Sequence, residues 1–245
     1  MSLPVFAFTA LHEAPLADGG AHEGAWLASA AAAGRAVAHL WQGRPGLVAP
    51  RSYTLQPGWA SAAPAFDVQL RSSGGGLVPQ GPGVWNLSLV WPVPSATPTG
   101  TEGVYRALCA ELAAAFARLG LATTPQAVEG SFCDGRFNLA AGGRKLAGTA
   151  QSWRRVDGRP MALAHAVIVV TADPVALTAQ ANAFEAALGS TRRYRADALT
   201  SVALALGEAA TPALERRTLV PVAERFARVV PPHHHPANEI CDGPA

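Results

Sequence analysis

Cysteine is scarce: the 245-residue chain holds three, Cys109, Cys133 and Cys241, at no metal-binding or redox spacing. An odd, widely separated set builds no disulfide framework and fits a reducing, cytoplasmic setting. Charge is thin as well, at 15% of residues with a formal net charge of +2. The basic residues are dispersed rather than striped with aromatics, which argues against nucleic acid as a partner. No apolar run approaches the roughly 18 residues that span a membrane, and residues 1–4 lack the basic and apolar regions of a signal peptide. Membrane and secretory classes are therefore set aside, and Asn86-Leu87-Ser88 reads as strand rather than as a glycosylation acceptor. No internal repeat is visible.

What is present suits one globular domain. Hydrophobic residues make up 49% of the chain, which is long enough to bury a full core. The 24 glycines and 20 prolines are scattered between periodic segments, as turns are, rather than clustered. We place one domain over residues 1–230 and a flexible tail over 231–245.

Periodicity predicts the elements. Residues 22–34 are alanine-rich and end on a glycine able to cap a helix. Residues 35–42 and 84–91 read as strands, with Asn86 and Ser88 on one face of the second. Prolines 45, 50 and 57 predict an irregular stretch up to Phe66, followed by a short extended segment at 68–71. Residues 103–119 carry a helical apolar stripe through Tyr105, Leu108, Cys109, Leu112 and Phe116, which makes Cys109 a core residue. Strands at 137–141, 145–153 and 162–171, joined at Gly142-Gly143 and Asp157-Gly158, should pair antiparallel. Asp173-Pro174 and Thr211-Pro212 each open a helix, and Pro221 should break or restart the second. Helices gathered on a mostly antiparallel sheet make the fold class α+β.

Three weak signals carry chemistry. The run Arg71, Ser72, Ser73 and Gly74 to Gly76 sets a cation, two hydroxyls and a backbone free of side chains between two strands. Such a loop is either a turn or a place where N–H groups approach a phosphate or carboxylate. Lys145 stands in a strand of apolar and small residues, so it either snorkels to solvent or meets an anion. His165 lies in the apolar strand Ala162 to Val170, as a core histidine or a site residue. His233, His234 and His235 sit on a proline-flanked tail without a carboxylate or cysteine at ligand spacing, so no metal site is assigned.

Taken in order, Leu40-Trp41, Arg71 to Gly76, Asn86, Lys145 to Gly148 with Ala150, and His165 resemble the lipoate-protein ligase A family of the biotin/lipoate A/B protein ligase superfamily. The segment 199–204 is similar to the family's stretch before its closing helix. The resemblance spans about residues 22–228. It implies a class II synthetase-like catalytic domain without the C-terminal accessory domain of bacterial ligases. It further implies that Lys145 is catalytic, and that Arg71, Ser73, Gly74, Gly75, Gly76, Asn86, Asn138, Gly148, Thr149, Ala150 and His165 hold lipoate or octanoate. A ligase would use ATP and magnesium to make an acyl-adenylate and deliver the acyl group to a lysine of a lipoyl-carrier domain. That carrier would be a 2-oxoacid dehydrogenase E2 or a glycine cleavage H protein, and a separate accessory subunit could complete the enzyme. Leu77 and Val78 would line the acyl tunnel or belong to the core.

The chain also departs from the ligase pattern. Leu77 to Gly81 stands where ligases place a histidine and an aspartate, and Gly135-Arg136-Phe137-Asn138 replaces a carboxylate by an amide, which weighs against metal binding. Cys133, in the loop 130–135, is similar in location to the nucleophile of octanoyltransferases that share the ligase architecture, and a cysteine can take an acyl group and pass it to an amine without ATP. Three readings therefore stand: an ATP-dependent ligase, a Cys133-dependent octanoyl or lipoyl transferase, and a non-catalytic acyl-binding protein to which Gln80 and Asn138 would belong. Biotin ranks below these because the basic loop of biotin ligases is not present.

Overall fold

The computed structural model describes residues 3–7, 9–71, 73–93 and 101–227. Its elements, in chain order, are β1 (Thr9–Leu11), α1 (Gly19–Ala33), β2 (Val37–Trp41), β3 (Gly46–Pro50), α2 (Trp59–Ala62), β4 (Val68–Arg71), β5 (Val78–Gln80), β6 (Val84–Pro92) and α3 (Thr101–Ala117). There follow β7 (Thr124–Gln126), β8 (Asn138–Ala141), β9 (Arg144–Val156), β10 (Arg159–Val169), α4 (Pro174–Ala187), α5 (Val202–Leu206) and α6 (Pro212–Phe226). Short 3-10 turns flank α2 and precede α5. Ser72, residues 231–245, the tail histidines 233–235 and Cys241 lie outside the described residues.

The strands form a seven-stranded sheet in the order β1-β2-β6-β10-β9-β8-β7 and a three-stranded sheet in the order β4-β3-β5. From β2 to β7 the large sheet is antiparallel, as the α+β reading expects, while β1 joins β2 in parallel. The β9–β10 hairpin turns at Asp157 and Gly158, both at positive φ of 48° and 75°, the backbone that matches the twist of paired strands.

Alternation divides the large sheet into two faces. Ala38, Leu40, Leu87, Leu89, Ala164 and Ala166 face α3 and α6, where Leu108, Leu112, Phe116, Leu219 and Phe226 complete the main core. On the opposite face Val37, Val90 and Leu163 pack under Leu27, Ala30 and Ala31 of α1. Farther along that face the cross-strand rows change character. Trp41, Asn86, Val167 and Gly148 form one row, and His39, Ser88, His165 and Ala150 the next. The small sheet and α4 share a second core of Leu47, Ala49, Leu77, Leu177, Ala181 and Phe184.

Two expectations are corrected. Pro221 neither breaks nor restarts the last helix: α6 runs through it from Pro212 to Phe226. A proline here removes one hydrogen bond at a cost of about 3 kcal/mol. Pro221 is itself buried with Leu214, Leu219, Val222 and Phe226, and packing of that stripe offsets the loss. The stretch before Phe66 is also not irregular, since Gly46–Pro50 is a strand whose proline lies at its last residue, next to a 3-10 turn.

A histidine cluster gives the acid side of stability. His39 is buried, stacks on Trp26 with ring centroids 3.9 Å apart, and meets His12 at 3.1 Å. Burial, with the neighbouring His12 and His22, pushes its pKa down to about 3. The unfolded chain binds a proton there below about 6.5, so stability is full above that pH and is lost as pH falls toward 3, by up to about 4 kcal/mol. Thermal melts between pH 7 and 4 should fall less steeply for His39→Gln than for the wild type. Identical slopes would show that His39 does not set this dependence.

Candidate functional site

The two sheets enclose a pocket of about 770 Å³ counting its open mouth. β3, β4 and β5 contribute Val48, Leu70, Arg71, Val78 and Gln80. The large sheet contributes Trp41, Asn86, Gly148, Ala150, His165 and Val167, and the start of α1 adds Gly19, Gly20 and Glu23. Phe132, Cys133 and Lys145 line it as well.

Arg71 ends β4 and turns back on the glycine run. Its Nη2 donates to the carbonyls of Gly76 (2.6 Å) and Gly74 (3.2 Å), and Nη1 to Val48 (3.4 Å). The guanidinium thus braces the loop from inside. Among the described residues, its buried Nε has no hydrogen-bond partner. Gly75 has φ of +109°, and a Cβ there would stand 2.8 Å from Cys133 Sγ. The thiol therefore sits directly against the glycine loop.

Lys145 does not snorkel. It is 3% exposed, and Nζ donates to the carbonyls of Phe132 (2.5 Å) and Cys133 (2.8 Å) while lying 5.3 Å over the Phe132 ring. Burial lowers its pKa to about 8, opposed by Cys133 and Asp134 and assisted by Arg71. Asn138 Nδ2 donates to the same Cys133 carbonyl at 3.0 Å. Cys133 is held by these bonds at a positive φ of 53°, uncommon for a residue with a side chain. Behind Lys145, the N–H of Thr200 donates to its carbonyl at 2.9 Å, so the segment 199–204 closes over the strand that carries it.

A second network joins residues far apart in sequence. Trp41 Nε1 donates to Ser88 Oγ (3.0 Å), Ser88 Oγ donates to Glu23 Oε1 (2.8 Å), and His165 Nδ1 meets the same carboxylate oxygen at 3.0 Å. His165 Nε2 lies 3.2 Å from Ser73 Oγ. Burial alone would push the Glu23 carboxyl up. His165, by charge and hydrogen bond, the Ser88 hydroxyl and the Arg71 charge bring it below the usual range.

Most residues singled out from the sequence meet in this pocket. Thr149 reaches it from β9 and donates to the Phe137 carbonyl at 2.6 Å, and Asn86 Nδ2 donates to Gln80 Oε1 (2.8 Å) while Gln80 Nε2 donates to Asn86 Oδ1 (3.3 Å). Val78 lines the pocket, whereas Leu77 belongs to the core beneath it. Cys109 is buried, and burial pushes its thiol up to about 11. Sequence reasoning missed Glu23, Gly19 and Phe132. At Gly19 a Cβ would overlap the Trp41 ring at 2.1 Å, so the glycine lets α1 approach the sheet at the pocket rim. A stronger signal was also present: Lys145 is the only lysine among the 19 Lys and Arg residues, and it is buried.

No described helix is long and apolar enough to cross a membrane. Among the described residues no group of three or more His, Cys, Asp or Glu is placed to hold a metal ion.

The family model of the lipoyl protein ligase A/B catalytic domain matches residues 26–210. A protein of Cupriavidus necator with no assigned function is 49% identical over 193 residues, 72% of this chain and 76% of its own. An octanoyl-[GcvH]:protein N-octanoyltransferase of Kyrpidia tusciae is 39% identical over 188 residues, 72% of this chain but 65% of its own length, just under two thirds. Among solved structures, a lipoate-protein ligase A bound with ATP superposes with a TM-score of 0.59 at 16% identity, covering 90% of this chain and 85% of that one, a likeness of fold alone.

Proposed function

The chain belongs to the lipoyl protein ligase A/B catalytic domain family, and from that premise we propose that it is an octanoyl or lipoyl transferase working through a thioester on Cys133. The observation that carries this reading is the seating of the thiol, with Cys133 Sγ against Gly75 at an apolar pocket and its loop fixed by Lys145 and Asn138. The name of the Kyrpidia tusciae relative points the same way, toward octanoyl-[GcvH] as donor and a protein as acceptor, and we take that protein to be a lipoyl-carrier domain.

The acyl tail enters between the sheets, along Val48, Leu70, Val78, Val167 and Val169. Its carbonyl lies by the glycine loop, next to Cys133 Sγ. Cys133 Sγ attacks that carbonyl, the donor's carrier group leaves with a proton, and the acyl group rests on sulfur. The lysine amine of the acceptor then attacks the thioester, forms the amide and releases the thiol. Lys145 keeps the Cys133 loop in its left-handed conformation, so the nucleophile is aimed before substrate arrives. Asn138 is bonded to the Cys133 carbonyl where ligases carry a carboxylate, and no step here uses ATP or magnesium.

The test mixes the purified protein with octanoylated glycine cleavage H protein and an E2 lipoyl domain, without ATP, and reads target mass. Transfer without ATP that Cys133→Ala abolishes supports the reading. Modification from octanoate that requires ATP and survives Cys133→Ala would replace it with the ligase. Acyl binding with no modification in either regime would leave a non-catalytic binding protein.

A further inference from the structure

The polarity of the buried network is fixed at one end. Trp41 Nε1 can only donate, so the Ser88 oxygen accepts from it and the Ser88 O–H is directed at Glu23. An ionised Glu23 only accepts, so His165 Nδ1 carries a proton and donates to it. In neutral His165 the remaining ring nitrogen, Nε2, is then the acceptor, and the Ser73 hydroxyl donates to it. Ser73 is two residues from Gly75, whose backbone abuts the Cys133 thiol, and His165 lines the same pocket as Cys133 and Lys145.

We propose that Ser73, His165 and Glu23 form the proton-accepting relay of the amine-transfer step. The proposal rests on the transferase reading above. When the acceptor amine attacks the Cys133 thioester, the new C–N bond forms and the C–S bond breaks. The proton shed by nitrogen passes through Ser73 Oγ to His165 Nε2. The imidazolium, steadied by the Glu23 carboxylate, returns it to the departing sulfur, so the enzyme ends as it began. His165 and Ser73 are catalytic in this step, while Glu23 is a positioning residue that acts through His165. Ser88 and Trp41 keep the carboxylate turned toward the ring.

Two measurements test the relay, and the first needs no activity. In uniformly 15N-histidine-labelled protein, the His165 signals, assigned by their loss in His165→Gln, should report the Nδ1–H form with Nε2 unprotonated. The Nε2–H form would overturn the proposal. The second is a single-turnover reaction in which the protein is first loaded with octanoyl and then mixed with lipoyl domain. Glu23→Gln and Ser73→Ala should slow the amine step by about 10²–10⁴-fold with acyl-enzyme accumulating. Loading of Cys133 from the octanoylated H protein is the microscopic reverse of this step and should slow with it, while octanoate binding and the KM for the acceptor stay near wild type and Glu23→Asp recovers part of the rate. Transfer falling together with octanoate binding, with no recovery in Glu23→Asp, would mean a structural role only. Failure of the wild type to load at all would count against the thioester reading, and the tautomer measurement would still judge the network.

Discussion

Lys145→Ala is expected to lower acyl transfer by about 10²-fold, the loss that accompanies a displacement of about an ångström of a reacting group. The substitution strips two partners from the Phe132 and Cys133 carbonyls, which Asn138 satisfies only in part, and the 130–135 loop is then free to relax from its left-handed turn. Each buried carbonyl left without a partner costs about 1–3 kcal/mol. Lys145→Met separates loss of charge from loss of volume through its pH dependence. The folded pKa of about 8 lies below the unfolded value of 10.5. The stability linked to this group is therefore complete above 10.5 and is lost as pH falls through 8. Wild type should accordingly gain up to about 3 kcal/mol on Lys145→Met between pH 8 and 10.5. Because the chain has one lysine, 13C-lysine labelling gives a single side-chain resonance, and its titration midpoint should fall near 8. A midpoint near 10.5, or transfer at the wild-type rate in Lys145→Ala, would remove Lys145 from the site.

Several features of this arrangement were legible in the sequence because they depend on local order. The helix-stopping Gly34, the Asp173-Pro174 start and the Asp157-Gly158 turn follow from backbone preferences, and the structure places them as read. Arg71, Lys145 and His165, three residues of the family order, line the pocket. Glu23 was invisible for a physical reason. It looks like any exposed helical carboxylate until α1 is laid on the sheet, and that approach depends on Gly19 fitting under Trp41. The alternation of Asn86 and Ser88 on one face of β6 contained half of the answer, since their cross-strand partners Val167 and His165 had to share that face. Register alone would have put His165 beside Ser88. Pro221 failed in the opposite sense: a local rule was overridden by the buried stripe around it.

Gly75→Ala should be nearly as damaging as loss of Lys145, by a different route. A φ of +109° is strained for any residue with a Cβ, and here the Cβ would meet Cys133 Sγ at 2.8 Å and Arg71 Nη2 at 3.0 Å. Both neighbours belong to the bracing of the site, so neither can yield without cost. Either the loop reshapes and Arg71 loses its bonds to Gly74 and Gly76, or the sulfur moves by about an ångström. A displacement of that size is worth about 10²-fold in rate, and backbone strain adds about 1–3 kcal/mol of destabilisation. The two routes leave different traces. If the thiol moves, loading of Cys133 by the octanoyl donor slows while octanoate binding survives. If the loop reshapes, binding is lost first, since Arg71 no longer holds its place in the pocket wall. Wild-type loading and binding together in Gly75→Ala would mean that the thiol need not sit against the glycine loop, and the nucleophile would have to be sought elsewhere in the pocket.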